Sequence, residues 1–294
     1  MNPVNSYRKN MPIAKVLLED CLFRIRRFIF FYRNGRQHRT ALFYPSYPSK
    51  RMVLYKIFKR LRYNITNNPT LPHDVIIYWE DITCRGTNEL IGQWAKTRTV
   101  INLNSRDISK SYVDKVFQQV FGYGSLVDPI SFEGLMVKKS ELNAQHDGLI
   151  IQGPVEPEKG FIHQKLINNQ CEDGLVADMR IPLINGLLPL VFIKYKNLST
   201  RFGVFRKHHH RRKNTELFHS EEVLSREEIK KLSEFCRLSG LDYGELDVLR
   251  DKTDKRIYVV DVNNTPTGPP YMRTQEKQEA MQIMTDIFIR EFLQ

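Results

Sequence analysis

The first third of the chain alternates short apolar runs with helical patterns. Apolar, β-rich runs predict strands at 40–45, 75–81 and 98–104. Apolar side chains recur at helical spacing around 52–63 and 89–95, and the polar stretch 64–74 reads as a loop. Because strands that alternate with helices tend to lie parallel in one sheet, we predict a small α/β domain with a parallel sheet.

The rest of the chain predicts a mainly antiparallel sheet with helices. Strands are expected at 135–140, 148–154, 161–167, 179–184, 188–196, 243–251 and 256–263. A helix over 109–121 has a Ser at its N-cap position and ends at Gly122, and another over 225–240 opens with the spacing of a capping box. The chain finishes with a predicted helix at 275–292, and the basic stretch 206–216 is predicted to be a mobile loop.

The N-terminal segment reads as a basic amphipathic helix. Apolar side chains recur at roughly helical spacing over 12–33, with Arg and Lys between them. Such a helix can dock on the rest of the protein or on a second copy in a homodimer. It can also make a peripheral contact with an anionic membrane. The net charge of +12 is concentrated at 7–62 and 207–213, which leaves a nucleic acid, a membrane surface or an anionic ligand as partners.

Composition indicates a soluble globular protein of one or two domains. Hydrophobic residues make up 41% and charged residues 27% of the 294 positions. The sequence contains no run of 18 apolar residues, so a membrane-spanning helix is not expected. Charged residues interrupt the apolar N-terminal segment, which argues against a secretory signal. The four cysteines are scattered with no C-x-x-C pair, which argues against a zinc site or a disulfide framework. We therefore expect a cytoplasmic protein.

The two strands near the C-terminus carry the most informative polar residues. Asp247 lies in the first strand, and Asp261 and Asn263 share one face of the second because side chains alternate along a strand. A hairpin can bring Asp247 opposite the other two. Hard oxygen donors of this kind are those that Mg²⁺ prefers, and an unpaired Asp within VVDVN would otherwise be costly. A solvent-facing Asp on an edge strand is the alternative.

This hairpin resembles the end of the nucleotide domain of ATP-grasp proteins. The matching residues are Asp247, the triplet Asp261-Val262-Asn263, and Pro266. Family members usually have Glu at the second acidic position, so Asp261 is a shorter substitute. The resemblance extends over roughly 98–270 and implies ATP and Mg²⁺ as cofactors, with Mn²⁺ as a second metal that fits.

The resemblance also implies phosphate-binding lysines. Lys110, near the start of a helix, suits the first of them, and Lys115 is the alternative. Lys139 suits the second, because Lys138 lies on the opposite face of the same strand. The family's glycine-rich phosphate-covering loop is missing, since SELNAQHDG has a single glycine at Gly148.

Further implied positions follow along the chain. The stretch FIHQKLI resembles the adenine-binding hinge, where the backbone of Lys165 and Leu166 would bind the base, and Gln164 stands where an acid is common. Arg180 stands at the position of an Arg directed at the γ-phosphate or an acyl phosphate, and Lys194 on the next strand can serve the same end.

The domain organisation is expected to follow the family. We predict a basic helical segment at 1–36 and a small α/β domain at 37–108, followed by an ATP-grasp domain at 109–294 that divides at residue 167. The fold class is thus α/β, or α+β, with a parallel sheet before a mainly antiparallel one.

The implied activity is ATP-dependent ligation. A carboxylate of a small molecule or peptide would be activated as an acyl phosphate and attacked by an amine or another nucleophile. One alternative is an ATP-grasp-type kinase, which would leave phosphate on its product. Others are a nucleotide-binding protein without turnover and a nucleic-acid-binding protein. We do not expect nucleic acid, because the aromatic residues of FRIRRFIFFYR are better explained by burial on a helix.

Overall fold

A computed structural model describes most of the chain. It covers residues 25, 29, 39–171, 174–201, 215–270 and 272–294. The predicted N-terminal helix at 12–33 lies outside the described residues except for Ile25 and Ile29, as does the 206–214 part of the predicted loop. None of the described helices is long and apolar enough to span a membrane.

The first sheet is parallel and has four strands in the order β2-β1-β3-β4. Its elements are β1 (Thr40–Pro45), α1 (Val53–Arg60), β2 (Asn64–Thr66), β3 (Val75–Trp79), α2 (Glu89–Trp94) and β4 (Val100–Ile101). The predicted parallel α/β unit is confirmed. Strand β2 falls in the predicted loop, because three residues are too few to reveal an alternating pattern. Strand β4 has only two of the seven residues predicted at 98–104.

A three-stranded antiparallel sheet follows, in the order β6-β5-β7. It is preceded by α3 (Lys110–Phe121) and built from β5 (Leu135–Ser140), β6 (Leu149–Gln152) and β7 (Phe161–Lys165). The side chain of Ser109 caps α3, and Gly122 ends it with a φ of 80°, a left-handed conformation that glycine adopts readily. Both predicted ends of this helix are confirmed.

The third sheet is antiparallel and has five strands in the order β10-β9-β8-β11-β12. Its strands are β8 (Leu175–Ile184), β9 (Leu190–Asn197), β10 (Thr215–His219), β11 (Tyr243–Arg250) and β12 (Ile257–Asn263). Helices α4 (Ser220–Val223), α5 (Arg226–Leu238) and α6 (Thr274–Phe292) complete the chain. The predicted loop at 206–216 was wrong for Thr215 and Glu216, which pair with β9. A five-residue strand next to a basic run shows too little periodicity to be recognised.

The five-stranded sheet has one apolar face and one face that changes character along its length. The apolar face packs on α3 and α5 through one buried cluster, including Met179, Ile181, Leu246 and Val248 of the sheet with Phe117 and Phe235 of the helices. Each such buried side chain contributes about 1.5–3 kcal/mol. On the opposite face, Ile184, Phe192 and Tyr243 pack with residues of the parallel sheet and α6. Further along the same strands, that face carries charged residues.

Asn102 joins the parallel sheet to the five-stranded sheet. It is fully buried, and its φ is 61°. Its Oδ1 accepts hydrogen bonds from the backbone N–H groups of Asp242 and Tyr243 at 3.0 and 2.8 Å, and its Nδ2 donates to the Tyr243 carbonyl at 2.7 Å. One side chain thus satisfies three backbone groups where β11 begins.

The Asn102→Ala variant is therefore expected to lower the free energy of unfolding by about 3 kcal/mol. The change leaves buried polar groups without partners, and alanine tolerates a positive φ less well than asparagine. Urea denaturation of the two proteins measures the difference. Asn102→Asp keeps the acceptor but places a charge at a fully buried position against the Tyr243 carbonyl, so its loss should be at least as large. A loss below about 1 kcal/mol in Asn102→Ala would contradict this account of the junction.

Candidate active site

The charged part of the five-stranded sheet is centred on the hairpin of β11 and β12. Asp247 pairs in register with Asp261, and Glu245 pairs with Asn263. Register partners on neighbouring strands place their side chains on the same face. A register shift between Asp247 and Val248 gives β12 one extra residue at this point. The hairpin thus gathers three carboxylates and one amide on a single surface.

The two facing aspartates repel each other, and the neighbouring cationic side chains offset that repulsion only in part. Burial raises the pKa of Asp261, the neighbouring Asp247 carboxylate raises it further, and Lys110 and Lys139 oppose both effects. Opposed like charges on adjacent strands are destabilising. A cation between the two carboxylates would offset this repulsion.

Arg180 on β8 bridges two of the carboxylates. Its Nη1 lies 3.1 Å from Glu245 Oε1, and its Nε lies 3.2 Å from Asp247 Oδ1. A second contact, from Nη2 to Asp247 Oδ2 at 3.3 Å, makes the Asp247 interaction bidentate. The Asp247 charge is the main reason why the pKa of Arg180 is raised. Burial raises the pKa of Glu245 to about 7, although Arg180 opposes the shift.

Lys194 on β9 shares this face of the sheet. It pairs in register with Asp178, two residues before Arg180 on β8. Burial lowers the pKa of Lys194, and the positive charge of Arg180 lowers it further. Arg180 and Lys194, to which the resemblance assigns a role near a transferred phosphoryl group, are therefore electrostatic neighbours beside Asp247.

Lys139 and Lys110 approach the same hairpin from other elements. Lys139 on β5 donates from Nζ to the Val260 carbonyl at 3.0 Å. Burial lowers its pKa to about 8, although the Asp261 charge acts in the opposite direction. Lys110, the first residue of α3, donates to the Leu142 carbonyl at 2.9 Å. Burial also lowers the pKa of Lys110, and Asp261 again opposes the shift.

Asn143 connects these elements, and sequence reasoning missed it. Its Oδ1 accepts a hydrogen bond from Lys110 at 3.1 Å, and its Nδ2 donates to the Val262 carbonyl at 3.0 Å. It lies in the glycine-poor turn after β5, where no sequence signal marks it. Glu245 was also given no role, although its spacing of two residues from Asp247 placed it on the same face.

The predicted adenine-binding stretch is largely occupied by internal hydrogen bonds. The Lys165 N–H donates to the Ser125 carbonyl at 2.8 Å, and the Leu166 N–H donates to the Leu135 carbonyl at 3.1 Å. The buried side chain of Gln164 donates to Ser125 Oγ at 2.9 Å, so it contacts the protein interior. Base binding by this stretch stays a prediction, and it would have to use carbonyl groups.

The oxygen donors at the hairpin are of the kind that Mg²⁺ prefers, although both carboxylate oxygens of Asp247 contact Arg180. Asn263 Oδ1 accepts the Thr265 N–H at 2.8 Å and lies 3.2 Å from the Thr265 hydroxyl. That hydroxyl has one proton and lies closer to Asp81 Oδ1, at 2.7 Å, so Asn263 keeps an acceptor position. The described residues contain no group of three or more His, Cys, Asp or Glu side chains that could hold a metal ion. The coordination of a metal ion by the two aspartates would therefore have to be completed by the Asn263 amide oxygen, by water and by phosphate oxygens.

Comparison with known proteins defines the fold. No protein-family model and no curated protein sequence matches the chain. Among solved structures, a D-alanine–D-alanine ligase from Bacillus anthracis is 14% identical, with a TM-score of 0.52 over 87% of this chain and 98% of that one. The ATP-grasp ligase PsnB, complexed with a minimal precursor, Mg and ADP, is 11% identical, with a TM-score of 0.52 over 84% and 97%. The chain therefore has the ATP-grasp fold, as its sequence predicted.

Proposed function

We propose that this chain is an ATP-dependent ligase that activates a carboxylate as an acyl phosphate for attack by an amine or another nucleophile. One observation carries the proposal. Two facing aspartates lie on a sheet surface where cationic side chains from α3, β5, β8 and β9 converge. Repelling carboxylates surrounded by cations suit a magnesium ion together with a polyphosphate. Among the neighbours in fold, PsnB is an ATP-grasp ligase that was solved with Mg and ADP.

Each residue then has a chemical role in the proposed reaction. Asp247, Asp261 and Asn263 would hold Mg²⁺, which when bound neutralises charge on the phosphate oxygens. Lys110 and Lys139 would bind phosphate oxygens and stabilise the charge that moves to the leaving group. Arg180 and Lys194 would orient the phosphoryl group and the acceptor carboxylate. A carboxylate of a small molecule or a peptide fits this scheme, because PsnB was complexed with a precursor.

The first test is binding of the nucleotide. Calorimetry with ATP is expected to detect binding that depends on Mg²⁺ in the unchanged protein and is lost or strongly weakened in Asp261→Ala/Asn263→Ala. The physical reason is that the double variant lacks one charge and two oxygen-bearing side chains at the proposed metal position. A folded protein that binds no nucleotide would refute the proposal and leave its basic surface as the lead.

The second test separates the reaction classes. The protein is incubated with Mg-ATP, a panel of carboxylates and hydroxylamine, which converts an acyl phosphate to a hydroxamate. A ligase yields hydroxamate and free phosphate in a carboxylate-dependent manner. A kinase leaves the phosphate on its product, and that outcome would replace the proposed ligase by the kinase. The predicted domain boundaries, homodimer, membrane contact and cytoplasmic location remain predictions.

A further inference from the structure

An open basic groove lies between α1 and α6, and the proposed reaction does not use it. Its volume is about 480 Å³. The groove is lined by five cationic residues (Lys50, Lys56, Lys59, Arg60 and Lys277) together with Tyr55, Thr274, Gln278 and Met281. None of these lining residues is acidic. Three of the cations lie at positions 56, 59 and 60 of α1 and so share one side of that helix.

The positive charge of the four lysines in the basic groove is poorly neutralised. Lys56 is half-buried and donates to the Gly268 carbonyl, a neutral group. Its pKa is lowered by burial and also by the charge of Lys277. Lys59 lies 5.9 Å from the centre of the Tyr55 ring. Within the described part of the chain, no ion pair forms with Lys50, Lys56, Lys59 or Lys277. The groove therefore holds neighbouring cations that repel each other, and an anion would relieve that repulsion.

The length of the groove matches a short extended segment. From Thr274 to Met281 the α6 wall is about 10 Å long, at about 1.5 Å per helical residue. An extended polypeptide covers that length in about three residues, so acidic side chains on alternate residues could contact both ends. Four of the five cations are lysines, which act as point charges and lack the forked geometry that arginine offers to phosphate. Tyr55 and Met281 add apolar surface for the methylene groups of a peptide.

The two long stretches that lie outside the described residues are basic. Residues 1–38 contain eight basic and two acidic residues, and 202–214 contain five basic and no acidic residues. Neither of the two long stretches outside the described residues would neutralise the groove. We propose that the basic groove docks an acidic segment of a separate polypeptide, held by Lys50, Lys56, Lys59 and Lys277. This inference rests on the groove alone and does not depend on the nucleotide chemistry.

The test measures binding of an acidic probe to the full chain. The probe is a fluorescein-labelled decapeptide of alternating Glu and Gly, followed by fluorescence anisotropy. Lys59→Gln/Lys277→Gln is expected to bind it about tenfold more weakly, because the variant loses two of the positive charges that would pair with the probe. Both lysines are exposed, so the fold should be retained. Lys96→Gln/Lys230→Gln, which changes two other exposed lysines and alters the net charge equally, is expected to bind like the unchanged protein.

Three results would overturn the proposal. One is equal affinity of the probe for the unchanged protein and for the groove variant. A second is an equal loss in both double variants, because the effect would then reflect net charge and not the groove. The third is tighter binding of an oligothymidylate decamer with the same dependence on Lys59 and Lys277, which would assign the groove to nucleic acid.

Discussion

The Asp261→Asn variant is expected to lose about a thousandfold or more of the ATP-dependent phosphate release, the largest effect that we predict. Asparagine keeps the size and one oxygen donor but removes the charge that faces Asp247. The metal would then be held with one negative charge fewer, so its affinity falls together with the rate. Phosphate release measured over a range of Mg²⁺ concentrations separates the two losses.

Stability should change much less than activity in this variant. Burial already raises the pKa of Asp261, so the charged form is held in the fold at a cost, and an amide avoids that cost. Thermal unfolding without nucleotide checks this point. Asp286→Asn is the matched control, because Asp286 is exposed on α6 and accepts a hydrogen bond from Gln282. Turnover that survives in Asp261→Asn with unchanged Mg²⁺ dependence would exclude Asp261 as a metal ligand.

The Lys139→Met variant is expected to lose about a hundredfold to a thousandfold in kcat/KM for ATP. Methionine has nearly the same length, so packing is largely kept while the ammonium group beside Asp261 is removed. A phosphate group would then lose one charge-assisted hydrogen bond in a buried setting. Steady-state kinetics with ATP as the varied substrate measures the loss.

The adjacent lysine provides an unusually close control. Lys138 lies on the other face of β5, where it pairs with Glu158 and sits 4.6 Å from the centre of the Phe161 ring. Lys138→Met should leave kcat/KM nearly unchanged. The free energy of unfolding of Lys139→Met should equal or exceed that of the parent. Because the folded-state pKa of Lys139 lies below its ordinary value, its charged form opposes folding. That opposition is complete below about pH 8 and fades as the pH rises to the ordinary pKa of lysine. Equal losses in both variants would contradict a phosphate role for Lys139.

Much of the architecture could be predicted because local patterns carry it. The parallel strand–helix alternation, the ends of α3 and the hairpin of β11 and β12 all depend on residues close together in the chain. Ser225 and Glu228 form the predicted reciprocal cap of α5, with hydrogen bonds of 3.2 and 2.8 Å. The two short strands that were missed, β2 and β10, are stabilised by pairing with distant strands and not by their own sequences.

The candidate site likewise has a part that the sequence could predict and a part that it could not. Alternation along two adjacent strands was enough to bring Asp247 and Asp261 together, because the hairpin is a local structure. The resemblance to ATP-grasp proteins indicated Lys110, Lys139 and Arg180 as site residues, but it could not show which residues they contact. Arg180 lies 3.1 Å from Glu245 and 3.2 Å from Asp247 only because β8 lies beside β11 in the folded sheet.

The sequence by itself determined the fold class, most of the helices and strands, and the acidic hairpin. The reason is that the spacing of apolar residues, the helix caps and the alternation of side chains along a strand all act over a few residues. Only the tertiary structure decided that Gln164 turns inward to Ser125 and that Asn143 links Lys110 to β12. It alone brought the cations of α1 and α6 into one groove. Each of these arrangements joins residues far apart in the chain, and their hydrogen bonds and charges interact only after the separate sheets have packed together.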